Sequence, residues 1–317
     1  MSKTKPIDLF AVGIMIVLCM IWGFQQITLK WTALDISPMM QVSLRSGMSA
    51  IFVLILISIK KEGFHFLRST WQAGIAAGLL FALEFVLVTE GLRFTTASHM
   101  VVFLYTAPIF AALGLHLLDP NERLGMLEWV GIAIAFCGLA IAFLMRKNGN
   151  TQFPNMLLGD LLGLIGGMTW GATTIVVRTT KLARLPATQT LVYQLIVGFL
   201  LLGFLAWTSE QSTVHWTMPV VASLLFQSIV VSFVSFLTWF WLLRQYPASR
   251  LGVIALMTPI FGVLFGVALL NEVVEKSFII GAGLVIFGIV LVSGADWFYQ
   301  LFNQNQSIKK KVGTESP

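Results

Sequence analysis

The chain has 317 residues, of which 57% are hydrophobic and only 11% are charged. A soluble globular domain typically carries about 25% charged residues, so this composition excludes a soluble fold. The net charge of +6 is modest. Because the basic residues lie mostly in short loops between apolar runs, they indicate membrane topology and not a nucleic-acid-binding surface.

Ten apolar segments follow one another along the chain. They cover about 9–30, 38–59, 71–92, 96–118, 125–145, 156–180, 187–208, 218–243, 248–270 and 276–297. The runs are continuous and long enough for a bilayer crossing of about 20 residues, which favours helices over barrel strands. The first run is too long for the apolar part of a signal peptide, so we interpret it as a retained span.

Lysine and arginine are distributed unequally between the two sides that ten spans would define. If the N-terminus is cytoplasmic, fourteen of these residues fall on the cytoplasmic side and five on the other. The positive-inside rule therefore places both termini in the cytoplasm, as an even number of spans requires. The last residues, 299–317, are predicted to form a polar cytoplasmic tail.

The chain repeats itself after about half its length. Trp22-Gly23 recurs as Trp170-Gly171, Ala97-Ser98 as Ala248-Ser249, and Pro108-Ile109-Phe110 as Pro259-Ile260-Phe261. We predict two five-helix units, 1–148 and 149–298. Because five is odd, the two units must cross the membrane in opposite directions. Inverted repeats are common in secondary transporters, which bind their solute near the midplane and between the units.

These duplicated motifs resemble the drug/metabolite transporter superfamily, in its EamA-type ten-helix branch. The resemblance rests on the two Trp-Gly pairs and on the pattern Ala-Ser, Pro-Ile-Phe, Glu at 97–122 and again at 248–272. It implies a permease of the bacterial inner membrane that exports amino acids or other small metabolites through a central cavity. It also implies that the fifth and tenth spans are peripheral. Such folds serve many solutes, so the resemblance does not name one.

Polar and aromatic residues inside the spans are the candidates for a solute site, because polar groups are costly there unless they face protein or water. The predicted cavity residues are Trp22, Gln25, Gln26, Arg45, Glu84, His99, Tyr105, Trp170, Thr173, Tyr193 and Trp239. Trp22, Gln25 and Gln26 share one helix face, and the second unit repeats this spacing from Trp170. The alternative is that the glutamines and threonines only bond neighbouring helices.

Two charged residues within the spans have alternative interpretations. An ionised Glu84 in mid-membrane costs at least about 2.5 kcal/mol. It is therefore either a proton-coupling or substrate-amine site, or a structural acid paired with Arg45 or His99. Arg45 either binds a substrate carboxylate through a bidentate pair or extends its side chain to the membrane surface.

Two prolines occupy equivalent places in the fourth and ninth spans. Pro108 and Pro259 each remove a backbone donor, which kinks a helix. We predict that they form a hinge or gate. The alternative is that they only curve the helices for packing.

The pattern as a whole predicts a secondary transporter in the cell inner membrane that works by alternating access. Its expected partners are a small-molecule solute and the lipid bilayer, without nucleic acid, metal or cofactor. A Walker A sequence is absent, so the chain itself is not predicted to use ATP. The alternatives are a membrane-embedded enzyme, which would need an acid–base pair such as Glu84 and His99, and a non-transporting membrane scaffold. The substrate, direction, coupling ion and oligomeric state are left open.

Overall fold

The computed structural model describes residues 8–62, 70–118, 123–144, 154–246, 251 and 254–292. The described part of the chain is helical, and its only extended pairing is an isolated bridge between Ile36 and Val214. This confirms the predicted all-α class. The predicted tail, the boundary near 148, Glu122 and the second Ala-Ser pair at 248–249 lie outside the described residues.

The helices follow the predicted apolar segments closely. They are α1 Leu9–Trp31, α2 Pro38–Ile59, α3 Trp71–Gly91, α4 Ala97–Leu104, α5 Ala107–Leu118, α6 Met126–Leu144, α7 Met156–Thr179, α8 Ala187–Thr208, α9 Met218–Leu225, a π-helix Phe226–Ser235, α10 Phe236–Gln245, α11 Met257–Leu270 and α12 Lys276–Val292. Seven segments of the described chain, with α4 and α5 counted as one, are long and apolar enough to cross a bilayer. Three apolar helices are shorter, so ten crossings remain a prediction.

Helix ends are set by ordinary capping chemistry. The Asp8 side chain accepts a hydrogen bond from the Ala11 nitrogen (2.8 Å) and begins α1. Ser37 does the same for α2, with Pro38 in the first turn, where its missing N–H costs nothing. Asn271 ends α11 with φ 53°, in the left-handed region that favours such a stop.

Large apolar side chains cover the outside of the bundle. Ile51, Ile55, Leu200, Phe204 and Leu264 are all more than half exposed. A soluble monomer rarely shows an apolar surface of this extent. The exposed surface is therefore suited to contact with lipid hydrocarbon.

Small residues let α6 and α12 approach each other closely. A methyl group on Gly131 would lie 2.7 Å from the Gly288 oxygen, and one on Gly138 would lie 2.6 Å from the Gly281 oxygen. The crossed order of these pairs makes the two helices antiparallel. Since lipid removes most of the hydrophobic driving force, such close packing is what holds membrane helices together.

The ends of the helices fall into two groups, each joined by its own hydrogen bonds. In one group, Lys30 donates to the Thr95 oxygen, the His215 nitrogen donates to the Asp35 oxygen, and the Ser37 hydroxyl donates to the Gln211 oxygen. The other contains Thr188 to Glu62 and Tyr246 to Asp8. Because α1, α2 and α8 each have one end in either group, they run the full length between two faces of the bundle.

The two proline-containing spans are interrupted, not merely bent. α4 ends at Leu104 and α5 begins at Ala107, so the break lies just before Pro108. A turn at Leu256 likewise precedes α11, which contains Pro259. Proline lacks the N–H that would bond to the carbonyl four residues earlier, so the helix is weakest there. The breaks fit the predicted positions, and the hinge role stays a prediction.

Candidate functional site

The duplicated motifs are contact partners of one another. A methyl group on Gly23 of α1 would lie 2.9 Å from the Gly262 nitrogen and 3.1 Å from Phe261 Cβ, both on α11. A methyl group on Gly171 of α7 would lie 2.9 Å from Phe110 Cβ on α5. Each Trp-Gly pair therefore packs against the Pro-Ile-Phe segment of the other unit. Glycine is required at both crossings because only it lets the backbones come this close.

The tryptophans beside these glycines take different partners. The Trp22 indole nitrogen donates to the Ser235 hydroxyl (2.8 Å), and its ring lies edge-on to Trp239 with centroids 5.7 Å apart. Trp170 lies edge-on to Tyr105 with centroids 5.1 Å apart. Both rings are partly exposed. The structure thus brings four of the predicted residues together as two separate aromatic pairs.

Arg45 of α2 is fully enclosed in the bundle. Only 1% of the residue is exposed, and its three guanidinium nitrogens are buried without a hydrogen-bond partner. The guanidinium carbon lies 4.6 Å from the centroid of the Phe85 ring on α3, at cation–π distance. The alternative that Arg45 extends to the membrane surface is therefore wrong.

Glu84 lies beside Arg45 but is not bonded to it. Glu84 is 6% exposed and its carboxyl is close enough for electrostatic interaction with the guanidinium, yet none of the Arg45 nitrogens donates a hydrogen bond to it. Tyr105, which ends α4, also lies within electrostatic range of Glu84. We call Arg45, Glu84, Phe85, Tyr105 and Trp170 the midspan cluster. Its members come from α2, α3, the end of α4, and α7.

His99 belongs to a different site. Its Nδ1 lies 3.0 Å from the Asp160 carboxylate on α7, and its ring stacks on Phe278 of α12 with centroids 3.6 Å apart. Asp160 also accepts a hydrogen bond from the Thr95 hydroxyl. The alternative that His99 pairs with Glu84 is therefore wrong. Asp160 escaped the sequence analysis, although a carboxylate in the first turns of an apolar span was a usable signal.

Glu272 caps the start of α4 from the other unit. Its carboxylate accepts hydrogen bonds from the Ala97 nitrogen (2.7 Å), the Ser98 nitrogen (2.9 Å) and the Ser98 hydroxyl (2.6 Å). Lys30 at the end of α1 lies near the same carboxylate and donates to the Thr95 oxygen. This end of the bundle is closed by contacts between the two units. Ala97-Ser98 and Glu272 belong to the repeated sequence pattern, and here the Ala-Ser motif of one unit binds the Glu of the other.

The other candidates are also buried. Gln25 and Gln26 are buried, and the Gln26 amide oxygen has no hydrogen-bond partner. The Thr173 hydroxyl donates within its own helix to the Thr169 oxygen (3.0 Å). Tyr193 packs against Gly74 of α3. Of these, Gln26 retains a buried polar group available for another partner.

A polar network that the sequence analysis did not select joins α2 to the π-helix. The Gln227 amide nitrogen donates to Gln41 Oε1 and to the Ser223 hydroxyl, both at 2.9 Å. Gln41 in turn donates to the oxygens of Leu29 and Ile36. Such side-chain bonds between apolar helices stabilise their association.

An open cavity lies at helix ends. It measures about 430 Å³ and is lined by Met39, Val86, Glu90, Arg93, Leu205, Thr208, Ser209 and Gln211. It contains none of the predicted site residues. The midspan cluster therefore does not line this cavity.

Similarity to known proteins covers nearly the whole chain. The model of the EamA-like transporter family matches residues 9–144 and again 157–294. The chain belongs to the EamA-like transporter family. The family model thus matches this EamA-like protein twice, once in each half of the chain.

Relatives of this EamA-like protein are named as transporters. The uncharacterized transporter YoaV of Bacillus subtilis is 25% identical over 86% of this chain and 92% of its own. The uncharacterized inner membrane transporter YedA of Escherichia coli K12 is 24% identical over 89% and 90%. A probable amino-acid metabolite efflux pump of the same organism is 23% identical over 87% and 93%.

A solved crystal structure shares the fold. It superposes with a TM-score of 0.65 at 16% sequence identity, over 89% of this chain and 96% of that one. At this identity the likeness concerns the fold alone. The family match and the apolar helices place this EamA-like chain among membrane proteins.

Proposed function

We propose that the chain is a secondary transporter that exports amino acids or similar small metabolites across the cell inner membrane. The observation that carries the proposal is the midspan cluster, where Arg45 and Glu84 interact within the first unit and Tyr105 contacts Trp170 of the second. Buried polar groups at the seam between two repeats are where transporters of this architecture bind their solute. The relative named an amino-acid metabolite efflux pump supports the substrate class.

The mechanism we propose is alternating access between two inverted five-helix units. The seam is closed at one end by Glu272 on Ala97 and Ser98, contacts that join the units and would have to break when that face opens. The broken helices before Pro108 and Pro259 are suited to absorb the motion. The enzyme alternative loses support, because His99 is paired with Asp160.

Flux in proteoliposomes tests the function. The purified protein is reconstituted into liposomes, which are loaded with one member of a panel of the common amino acids and nucleosides. Counterflow of the labelled solute is then measured. We expect saturable flux of at least one amino acid. Its rate should be at least about tenfold higher than in protein-free vesicles. A complete absence of solute flux would favour a non-transporting scaffold and contradict the proposal.

Cysteine accessibility tests the inverted topology. Leu34, which is 98% exposed after α1, and the exposed Lys181 after α7 are each replaced by cysteine in a chain without Cys19 and Cys137. These positions follow equivalent helices, so inverted units place them on opposite sides of the membrane. A membrane-impermeant thiol reagent added outside cells should label only the position at 34. Labelling of both positions from the same side would refute the inverted arrangement.

A further inference from the structure

We propose that the solute is a zwitterion, with its carboxylate bound by Arg45 and its ammonium group facing Glu84. This inference rests on the proposed transport function and adds the chemical class of the solute and the residues that select it.

The first argument is the unsatisfied guanidinium. Buried polar groups in proteins almost always have a hydrogen-bond partner, and each exception calls for an explanation. All three guanidinium nitrogens of Arg45 lack one, although the side chain is enclosed and held over the Phe85 ring. A guanidinium presents its donors as a planar fork that matches the two oxygens of a carboxylate. A ligand carboxylate would supply the missing acceptors.

The second argument is the balance of charge. When both are ionised, Arg45 and Glu84 carry opposite charges; they lie within electrostatic range but are not joined by a direct hydrogen bond. Net charge in the membrane interior is costly. An anionic solute would leave this buried pair with one excess negative charge, and a cationic solute with one excess positive charge. A zwitterion satisfies both residues and leaves the site neutral.

The third argument is the surroundings of the pair. Tyr105 lies within electrostatic range of Glu84, and the Trp170 ring lies edge-on to Tyr105. Aromatic rings attract an ammonium group and also provide apolar contact area for a side chain. The midspan cluster therefore offers one group for each part of an amino acid: a cation, an anion and an apolar wall.

The experiment compares an amino acid with two of its analogues on the unmodified protein. For the amino acid with the fastest flux, competition is measured with its decarboxylated amine and with its deaminated acid. For L-phenylalanine these are 2-phenylethylamine and 3-phenylpropionate. We expect each analogue to compete at least about tenfold more weakly than the amino acid, because each leaves one buried charge without its partner. An amine or an acid that competes as well as the amino acid would overturn the inference.

Variants then assign the two charges. Arg45→Gln should reduce amino-acid flux by about 10- to 100-fold, the effect of one lost charge-assisted hydrogen bond, and should remove the preference for the amino acid over the amine. Glu84→Gln should remove the preference over the deaminated acid. Arg93→Gln is the matched control, because Arg93 is exposed and paired only with Glu90. Unchanged selectivity in Arg45→Gln would overturn the inference.

Each outcome separates the inference from the function on which it rests. If only an uncharged solute such as a nucleoside shows saturable flux, the protein is a transporter and the zwitterion inference is wrong. If no solute in the panel moves, the transport proposal itself fails. If Arg45→Gln does not fold, the analogue series on the unmodified protein still decides.

Discussion

Leucine in place of Gly23 is expected to lower the free energy of unfolding by about 3 kcal/mol, the upper part of the usual range for overpacking. Even a methyl group there would lie 2.9 Å from the Gly262 nitrogen and 3.2 Å from the Phe261 carbonyl carbon. Both neighbours are backbone atoms, so a side-chain rotation cannot relieve the clash. The helices α1 and α11 would have to separate, and with them the two units.

The same helix provides the control for this prediction. Gly13 has no atom within 4 Å of the position that a methyl group would take. Gly13→Leu should therefore unfold within a few degrees of the unmodified protein, while Gly23→Leu and the equivalent Gly171→Leu should unfold at clearly lower temperature. Thermal unfolding in detergent, followed by tryptophan fluorescence, measures the difference. Equal stability of the Gly13 and Gly23 variants would mean that α1 does not cross α11 as described.

Alanine in place of Glu272 is expected to destabilise the start of α4 by about 3 kcal/mol. The carboxylate accepts three hydrogen bonds, two of them from the Ala97 and Ser98 nitrogens. A hydrogen bond to a charged group contributes about 1.5–3 kcal/mol, and the first N–H groups of a helix have no partner within the helix. Their loss leaves α4 uncapped and removes a contact that holds the two units together.

Hydrogen exchange reports on this cap directly. The amides of Ala97 and Ser98 should exchange about 100-fold faster in Glu272→Ala, the equivalent of about 2.7 kcal/mol. Glu275→Ala is the control, because it removes the same charge from the same loop, while the Ala97 and Ser98 nitrogens donate to Glu272. Unchanged protection of Ala97 and Ser98 in Glu272→Ala would show that the cap does not form in the membrane.

The positions of the helices could be read from the sequence. The predicted segments at 38–59 and 187–208 coincide with α2 and α8, because the length of an apolar run and the polar residues at its ends determine a span. The duplicated Trp-Gly and Pro-Ile-Phe motifs were also visible in the sequence, as candidates for cavity lining and for a hinge. That each motif contacts the other one was not predictable, since spacing within one unit does not reveal which helices meet.

The features that sequence missed depend on distant partners or on backbone geometry. Asp160 acquires its role from His99, and Glu272 from Ala97, residues far apart in the chain that only the fold brings together. The π-helix over Phe226–Ser235 lies in a uniformly apolar run, where nothing in the composition distinguishes it from an α-helix. Burial of Arg45 was one of two open alternatives, because its depth depends on which neighbours surround it.

The exchange of motif partners between the two units affects how the protein is made. α1 leaves the ribosome first, but the surface that Gly23 fits belongs to α11, near the end of the chain. At about 5–20 residues per second, translation takes on the order of tens of seconds to deliver that partner. Until then lipid must cover the surface of α1 at Gly23 that α11 later contacts. In a polypeptide that stops near the middle, the Gly23 surface of α1 has no packing partner, because each motif packs against the other half of the chain. We therefore expect membrane proteases to degrade such a fragment.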